Sequence, residues 1–325
     1  MTCETKRIMI TGAAGQIGSE LSVRLRERYH AADVVATDIV QPSEQLLSGG
    51  PFERLDVTHR GQLAAVIKKH DIDTIYHLAA LLSATGEKNP QKAWDINING
   101  LYNILEAGRE LALARIFTPS SIAVFGPATP RRDTPQDTIL DPTTMYGVTK
   151  VAGESLCDYY VRKYALDVRG CRFPGIISHE TLPGGGTTDY AVAIFYEAVK
   201  NGRYTCFLKE DTRLPMMYMP DCLKSILDLM DADFSRLIHH ANFNVTAMSF
   251  SAGELAAEIR KRVPGFVCEY VPDFRQAIAD SWPASIDDSA ARREWGWKPS
   301  FDLRAMAKDM LSALTKRHVQ GTLGI

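Results

Sequence analysis

The chain has 325 residues, of which 37 are lysine or arginine and 39 are aspartate or glutamate, so its formal net charge at pH 7 is −2. This near balance, without a block of basic residues, excludes the basic stripe by which nucleic-acid-binding proteins contact phosphates. Because no apolar stretch approaches the ~20 residues of a spanning helix, a membrane-embedded protein is excluded as well.

The cysteines and the first residues indicate where the protein works. The six cysteines contain no Cys-x-x-Cys pair, and no histidine cluster has metal-binding spacing, which predicts buried reduced thiols and no metal site. They are Cys3, Cys157, Cys171, Cys206, Cys222 and Cys268. Residues 1–6, before the first apolar run, are too few for a signal peptide. We therefore expect a cytoplasmic protein.

Strand-like and helix-like segments alternate through the first half of the chain. Apolar runs at 8–10, 34–38, 74–78 and 115–118 predict strands, and the segments 16–29, 63–69 and 101–113 predict helices. This alternation predicts an α/β fold with a doubly wound parallel sheet (a Rossmann fold), in which ligands bind beyond the carboxyl ends of the strands.

The predicted organisation has two parts. We expect the Rossmann domain over residues 1–175, with a later returning segment near 214–245. A smaller, discontinuous α/β domain, mostly within 176–325, is expected to bind the substrate. The rhythm of strands and helices stops near residue 175, and the length alone favours two domains.

A glycine-rich turn follows the first predicted strand. Gly12, Gly15 and Gly18 allow a tight turn and close approach of the backbone to a pyrophosphate at a helix N-terminus. Asp38 ends the second strand about 20 residues later, where an acid binds the adenosine ribose. Apolar residues follow Asp38, so no arginine is expected nearby to hold a 2′-phosphate, and NAD is favoured over NADP. Asp56 is placed to meet the adenine edge, although a solvated loop aspartate explains it almost as well.

Tyr146 and Lys150 are four residues apart, so they lie on one face of a helix. An adjacent ammonium lowers the pKa of a phenol and makes it a better base. The pairs Tyr159/Lys163 and Tyr196/Lys200 share this spacing, so the spacing alone is not specific. Tyr159 and Tyr196 are predicted to pack, whereas Tyr146 begins its helix after a loop, where a side chain reaches a cleft.

A serine ends the predicted strand at 115–118, at the edge of the sheet where ligands bind. Its hydroxyl can donate to a substrate oxygen while Tyr146 takes the proton. Ser120 and Ser121 are adjacent, and alignment on Gly126 favours Ser121. A serine that caps a turn is the alternative.

Taken together, these motifs resemble the short-chain dehydrogenase/reductase superfamily, in its extended branch with NDP-sugar epimerases and dehydratases. The matching stretches are residues 77–80, 97–100 with Asn103, 121–126, 146–150 and 295–299. Three further stretches resemble the L-threonine 3-dehydrogenases of that branch. They are residues 174–178 leading into 183–190, residues 214–221, and residues 281–283 with 285–289.

The resemblance implies NAD-dependent oxidation of the L-threonine 3-hydroxyl to 2-amino-3-oxobutanoate in threonine catabolism, by a homodimer. It implies that Ser121, Tyr146 and Lys150 are catalytic. The implied cofactor-binding residues are Gly12, Gly15, Gln16, Ile17, Gly18, Asp38, Asp56, Val57, Leu78, Ala79, Ala80, Asn97, Tyr146 and Lys150. The implied substrate-binding residues are Ser83, Ser121, Tyr146, Thr187, Thr188 and Asp189.

A zwitterionic amino acid fits the residues assigned to the substrate. Thr187 and Thr188 follow a run of glycines and can offer hydroxyl and N–H groups to a carboxylate, while Asp189 can meet an ammonium. A glycine turn followed by a threonine N-cap explains the same residues without a ligand. Trp282 is either a pocket wall or core, and Met216 and Met217 are predicted to be core.

Two other functions stay open. An NDP-sugar 4-epimerase has the same motifs, whereas a dehydratase is disfavoured because Ile122 and Ala123 stand where an acidic pair is usual. A non-catalytic NAD-sensing protein is the second alternative, and the presence of Ser121, Tyr146 and Lys150 counts against it.

Overall fold

A computed structural model describes residues 6–180 and 186–323 of the chain. The predicted glycine loop at 183–186 lies mostly outside these residues, as does Cys3. The strands are β1 Ile8–Thr11, β2 Val34–Asp38, β3 Phe52–Arg54, β4 Thr74–His77, β5 Arg115–Phe117, β6 Ser120–Ser121, β7 Val168–Arg169, β8 Cys171–Phe173, β9 Gly175–Ile177, β10 Arg203–Cys206, β11 Arg213–Tyr218, β12 Phe243–Asn244, β13 Met248–Ser251 and β14 Val267–Tyr270.

Helices alternate with these strands in the first half of the chain, and further helices follow in the second half. They are α1 Gln16–Arg28, α2 Glu44–Ser48, α3 Arg60–Lys69, α4 Ser83–Lys88, α5 Pro90–Trp94, α6 Gly100–Glu110, α7 Met145–Tyr164, α8 Tyr190–Asn201, α9 Met219–Asp231, α10 Ala252–Arg260, α11 Arg275–Ser281, α12 Ser289–Trp295 and α13 Leu303–Val319. A π-helical turn, Asp95–Asn99, joins α5 to α6.

Six parallel strands form the central sheet in the order β3-β2-β1-β4-β5-β7. This is the strand order of a doubly wound nucleotide-binding sheet, with its crevice where the order reverses between β1 and β4. The α/β Rossmann prediction is therefore confirmed. The segments predicted as strands and helices in this half all form, with bounds that agree at half of the ends and differ by one to three residues at the others.

Burial explains why these runs are strands. All four residues of β1 and all four of β4 are buried, as parallel strands covered on both faces require. On one side, α1 packs Leu21 and Leu25 into the core that contains Ile8 and Ile10 of β1. On the other, Leu101 and Ile104 of α6 join a second cluster.

The later part of the chain builds smaller sheets from separated segments. Strand β11 lies between β9, to which it is parallel, and β13, to which it is antiparallel, and β10 pairs with β14. Helices α8, α10 and α13 cover a third core that includes Tyr190, Phe195 and Leu255. Met216 and Met217 are fully buried, as predicted. The division at residue 175, with a segment returning near 214–245, stays a prediction.

Candidate functional site

The glycine turn leaves the end of β1 and begins α1 at Gly15, which is the N-cap. Gly12 has φ +70°, and a Cβ there would lie 2.6 Å from the backbone nitrogen of Ala79 at the end of β4. A Cβ on Gly18 would lie 2.2 Å from the carbonyl oxygen of Gly12. The turn therefore exists only because side chains are absent, which leaves backbone N–H groups at a helix N-terminus open to a pyrophosphate.

Asp38 holds this turn from the end of β2. Its Oδ2 accepts a hydrogen bond from the backbone N–H of Ala14 at 2.9 Å, and its Oδ1 accepts one from the N–H of Val40 at 3.0 Å. The expectation that no arginine lies nearby is wrong, because Arg54 of β3 is the register partner of Asp38. Arg54 is distant from Asp38 in the chain, and the pairing of β2 with β3 brings the two residues side by side.

Asp56 and Val57 follow β3 at the same edge of the sheet. The Asp56 Oδ1 accepts hydrogen bonds from the N–H and the hydroxyl of Thr58 at 2.9 and 2.8 Å, which makes a local turn. These bonds lower the pKa of Asp56 although burial opposes them. Val57 is buried against Gly100, whose added Cβ would lie 2.8 Å from it. An adenine contact at either residue stays a prediction.

The end of β4 is tied to α7 by Asn97 in the π-helical turn. Its side chain accepts from the N–H of Leu81 at 2.8 Å and donates to the Leu81 carbonyl and the Thr149 hydroxyl, both at 3.1 Å. Both cavities beside the site include Leu78 and Ala80 in their walls. Asn97 thus shapes the floor of the site, and its side-chain hydrogen bonds keep it there.

Tyr146, Lys150 and Ser121 come together across the cavity from the glycine turn. Thr144 caps α7 by accepting from the N–H of Gly147, so Tyr146 stands in the first turn, as predicted. The Lys150 Nζ lies 5.5 Å from the centre of the Tyr146 ring and donates to the Pro119 carbonyl at 2.7 Å. The Ser121 hydroxyl accepts from the N–H of Ala123 at 3.2 Å and also hydrogen-bonds Tyr146.

Burial governs the titration of this group. It raises the pKa of Tyr146 to about 12, against the lowering effect of the Ser121 hydrogen bond. It also lowers the pKa of Lys150 to about 8, while the charges of Cys157 and Glu154 oppose that shift. Desolvation, and not the expected effect of the ammonium, therefore sets the pKa of the phenol in this structure.

The residues predicted to hold the substrate line the same cavity. Ser83 begins α4 and is buried, and Thr187 is buried with no hydrogen-bond partner for its hydroxyl among the described residues. Asp189 is the N-cap position of α8, and its Oδ2 accepts from the N–H of Gly186 at 2.7 Å. The alternative in which Thr187 or Thr188 caps that helix is therefore wrong.

One cavity of about 230 Å³ joins these elements. Trp282 forms one wall and is also part of the third core, so both interpretations of it hold. The predicted site residues in the lining are Gly12, Gly15, Gln16, Ile17, Gly18, Leu78, Ala80, Ser83, Ser121, Tyr146, Lys150, Thr187, Thr188 and Asp189. Ala79 and Asn97 instead line a smaller cavity of about 20 Å³ that also includes Lys150.

Three features of this region escaped sequence reasoning. Glu154 of α7 and Arg172 of β8 form a buried ion pair beside Lys150. Glu20 of α1 is more than half buried and accepts from the Ser178 hydroxyl at 2.5 Å. Tyr159, predicted to pack, is half exposed, whereas Tyr196 is buried as predicted. The sequence signal for Glu154 is its position one helical turn after Lys150, on the same face of the helix.

Glu20 predicts a pH-dependent stability. Burial raises its pKa to about 7, the Ser178 hydrogen bond opposes this, and the charge of Glu180 adds to it. Since the folded pKa exceeds the unfolded value of ~4.3, stability falls as pH rises between these values. We expect Glu20→Gln to match the wild-type free energy of unfolding at pH 5 and to exceed it by ~2 kcal/mol at pH 8.

Urea unfolding at both pH values checks this expectation. Glu269→Gln, at an exposed position on β14, is the control and should give the same difference from wild type at both pH values. A Glu20→Gln protein less stable than wild type at pH 8 would contradict the prediction.

Other ligand classes find no support in the described part of the chain. No group of three or more histidine, cysteine or acidic side chains there could hold a metal ion. None of the helices described above is long and apolar enough to cross a membrane. Cys157, Cys171, Cys206 and Cys222 are free and buried, as predicted, and Cys268 is half-buried.

Known proteins match this chain over nearly its whole length. Residues 8–245 match the model of the NAD dependent epimerase/dehydratase family. A protein from Staphylococcus haemolyticus, named an uncharacterized epimerase/dehydratase, is 53% identical over 96% of this chain and 98% of its own. A solved L-threonine dehydrogenase from Clostridium difficile is 53% identical, with a TM-score of 0.94 over 99% of this chain and 100% of that one.

A second solved structure is also similar in fold, and its name states an assembly. It is titled a monomeric L-threonine 3-dehydrogenase from a metagenome, in its apo form. It is 47% identical, with a TM-score of 0.92 over 95% of this chain and 99% of that one.

Proposed function

The chain belongs to the NAD-dependent epimerase/dehydratase family, and from that premise we propose that it oxidises the 3-hydroxyl of L-threonine to 2-amino-3-oxobutanoate with NAD. One observation carries the proposal. The Tyr146 phenol, its Ser121 partner and the Lys150 ammonium meet in one cavity between the glycine turn and the buried hydroxyl of Thr187. The choice of threonine as the substrate rests on the solved L-threonine dehydrogenases that share about half of their residues with this chain.

The residues present fit NAD. The turn at Gly12 and Gly18 is a cradle that any Cβ would fill, and Asp38 stands at the end of β2 with a carboxylate that disfavours a 2′-phosphate despite Arg54 beside it. We assign the ribose of the nicotinamide half to Lys150, as the family pattern implies. When bound, NAD supplies the acceptor for the hydride from the carbinol carbon.

The residues of the chain handle the proton. Tyr146, as the phenolate, removes the proton of the threonine hydroxyl, and Ser121 donates a hydrogen bond to the same oxygen. Lys150 provides a positive charge beside the Tyr146 ring that favours the phenolate. Thr187 and Thr188 offer hydroxyls to the carboxylate of the amino acid, and Asp189 offers a carboxylate to its ammonium.

The charge of the cavity favours an amino acid over an NDP-sugar. Among the described residues that line it, Lys150 is the cationic one and Asp189 is the acidic one. An NDP-sugar would bring a second diphosphate besides that of NAD and would need additional cations or N–H donors, whereas a zwitterionic amino acid carries no net charge.

A single assay separates the candidate functions. With NAD present, L-threonine should produce NADH absorbance, L-serine and L-allo-threonine should produce much less, and UDP-galactose should give no net NADH. Conversion of UDP-galactose to UDP-glucose without a threonine signal would identify an epimerase. NAD binding without turnover of any substrate would favour a sensing protein.

We also infer that two copies pair through α6 and α7. Tyr102, Tyr159 and Tyr164 expose 45%, 50% and 41% of their surface on these helices, and a cluster of exposed aromatic side chains is typical of an interface. One similar structure is named monomeric, so the number of chains in the assembly has to be measured for this protein. Two-helix faces of this kind pair to form a four-helix contact.

Replacing the aromatic residues of this face tests the assembly. The double variant Tyr159→Glu/Tyr164→Glu should shift the mass measured by light scattering from two chains to one, because charge is costly in an apolar contact. Phe274→Glu, at an exposed aromatic residue elsewhere, should leave the mass unchanged. A wild-type protein of one-chain mass would contradict the inference.

A further inference from the structure

A buried ion pair that the proposed chemistry does not use lies beside the catalytic group. Glu154 on α7 and Arg172 on β8 are joined by two hydrogen bonds of 2.9 and 2.8 Å, with 6% and 4% of their side chains exposed. Arg172 also donates to the Gln136 carbonyl and the Asn244 side chain. Because desolvation offsets most of the attraction in such a pair, its contribution to stability is weak evidence for why it is there.

Helix α7 contacts the end of the neighbouring strand at three successive turns. Tyr146 hydrogen-bonds Ser121, Lys150 donates to the Pro119 carbonyl at 2.7 Å, and Glu154 accepts from the Ser120 hydroxyl at 2.5 Å. Side chains four apart share one face of a helix, so these contacts form a single row. Three consecutive residues, Pro119 and the two residues of β6, are thus each attached to a different turn of α7.

The direction of Ser121 depends on the contact at Ser120. Both serines line the larger cavity, but successive side chains of a strand point to opposite sides, so holding Ser120 toward Glu154 turns Ser121 toward Tyr146. Strand β8 supports the arrangement, because its Arg172 is the register partner of Ser120 and donates to both carboxylate oxygens of Glu154, one of which also accepts from Ser120.

We propose that Glu154 is a positioning residue: held by Arg172, it accepts the Ser120 hydroxyl and so fixes residues 119–121 where Ser121 meets Tyr146 and the Pro119 carbonyl meets Lys150. Glu154 is absent from the lining of the larger cavity and acts through its neighbours. The consequence for turnover rests on the proposed function, but the consequence for Tyr146 does not.

The charge of Glu154 also bears on the same group. Lys150 faces Tyr146, Glu154 and Cys157 on its own helix and His77 at the end of β4. Burial, with a smaller contribution from Lys150, lowers the pKa of His77 to about 3, so that imidazole is neutral. Removing the charge of Glu154 while Arg172 remains makes these surroundings more positive, which favours the phenolate of Tyr146.

Two variants test the proposal through the titration of Tyr146, followed by phenolate absorbance with NAD present and no threonine. The Tyr146 signal is the difference between each variant and the same variant carrying Tyr146→Phe. Ser120→Ala frees Ser121 and weakens the hydrogen bond that favours the phenolate, so the midpoint should rise. Glu154→Gln keeps an acceptor for Ser120 but removes the charge, so the midpoint should fall by about one pH unit.

Turnover provides a second readout. If the wild-type enzyme oxidises threonine, Ser120→Ala should lower kcat about tenfold and leave the affinity for NADH unchanged, because a displaced donor costs rate rather than cofactor binding. Glu258→Gln is the matched control. Glu258 is a buried glutamate on α10 that pairs with Lys261 and Arg262, which follow the helix. It should change neither the midpoint nor kcat.

The outcomes separate this proposal from a purely structural role. A loss of packing alone would lower the unfolding temperature without moving the midpoint. An unchanged midpoint in Ser120→Ala would overturn the proposal, and this variant decides alone if Glu154→Gln does not fold. Because the titration needs no threonine, a wild-type protein inactive on threonine would refute the proposed function and leave this test intact.

Discussion

Tyr146→Phe is expected to lower kcat for threonine oxidation by about 10³-fold, within the range for loss of a positioned general base. The phenyl ring fills the same space, so the change removes the oxygen that hydrogen-bonds Ser121 and little else. The affinity for NADH, measured by fluorescence titration, should change less than threefold, a threshold that corresponds to about 0.7 kcal/mol. Steady-state NADH formation with saturating threonine and NAD gives the comparison.

Tyr159→Phe is the matched control for this variant. Tyr159 and Lys163 have the same spacing as Tyr146 and Lys150 and lie on the same helix, but Tyr159 is half exposed and lies outside the cavity lining. Its replacement should leave kcat unchanged. A Tyr146→Phe enzyme that retains more than a tenth of wild-type turnover would contradict the role assigned to the phenol.

The second large effect is expected at the glycine turn. In Gly12→Ala, the new Cβ would lie 2.6 Å from the Ala79 nitrogen and 2.7 Å from the Leu78 carbonyl carbon, and the residue would keep a φ of +70°. Since these neighbours are backbone atoms of the residues that directly follow β4, the glycine turn itself must move. We expect the Kd for NADH to rise at least ~100-fold, about 2.7 kcal/mol, because the N–H groups aimed at the pyrophosphate move with the turn.

Gly202→Ala separates backbone strain from close approach. Gly202 has φ +64°, and a Cβ there would have no neighbour within 4 Å. This control should lose ~1 kcal/mol of stability from strain alone and bind NADH normally. Calorimetric titration of both variants with NADH is the measurement. Wild-type affinity in Gly12→Ala would show that the turn is not the phosphate cradle.

Much of the architecture could be predicted from local pattern. The β1 and β4 runs are apolar throughout because both faces of the sheet are covered, and α1 shows its stripe at Leu21 and Leu25. The capping box at Ser251 and Glu254 begins α10 and is a signal of residues close in sequence. These signals depend on residues close in sequence, so they are legible without the fold.

The errors have the opposite cause. Arg54 beside Asp38 is visible only once β2 and β3 are paired, because the two residues are far apart in the chain. Tyr159 gave no sign that its side of α7 lacks a covering element. The raised pKa of Tyr146 results from burial by several segments, which the spacing between Tyr146 and Lys150 does not reveal.

The residues alone are enough to predict the doubly wound fold, the glycine turn and the candidates Ser121, Tyr146 and Lys150, because each depends on short spacings and side-chain chemistry. The different directions of the two serines, Ser120 toward Glu154 and Ser121 toward Tyr146, follow instead from tertiary contacts. The physical reason is that a strand alternates its side chains, and which of them faces Tyr146 is set by α7 and β8, elements that sequence spacing does not bring together.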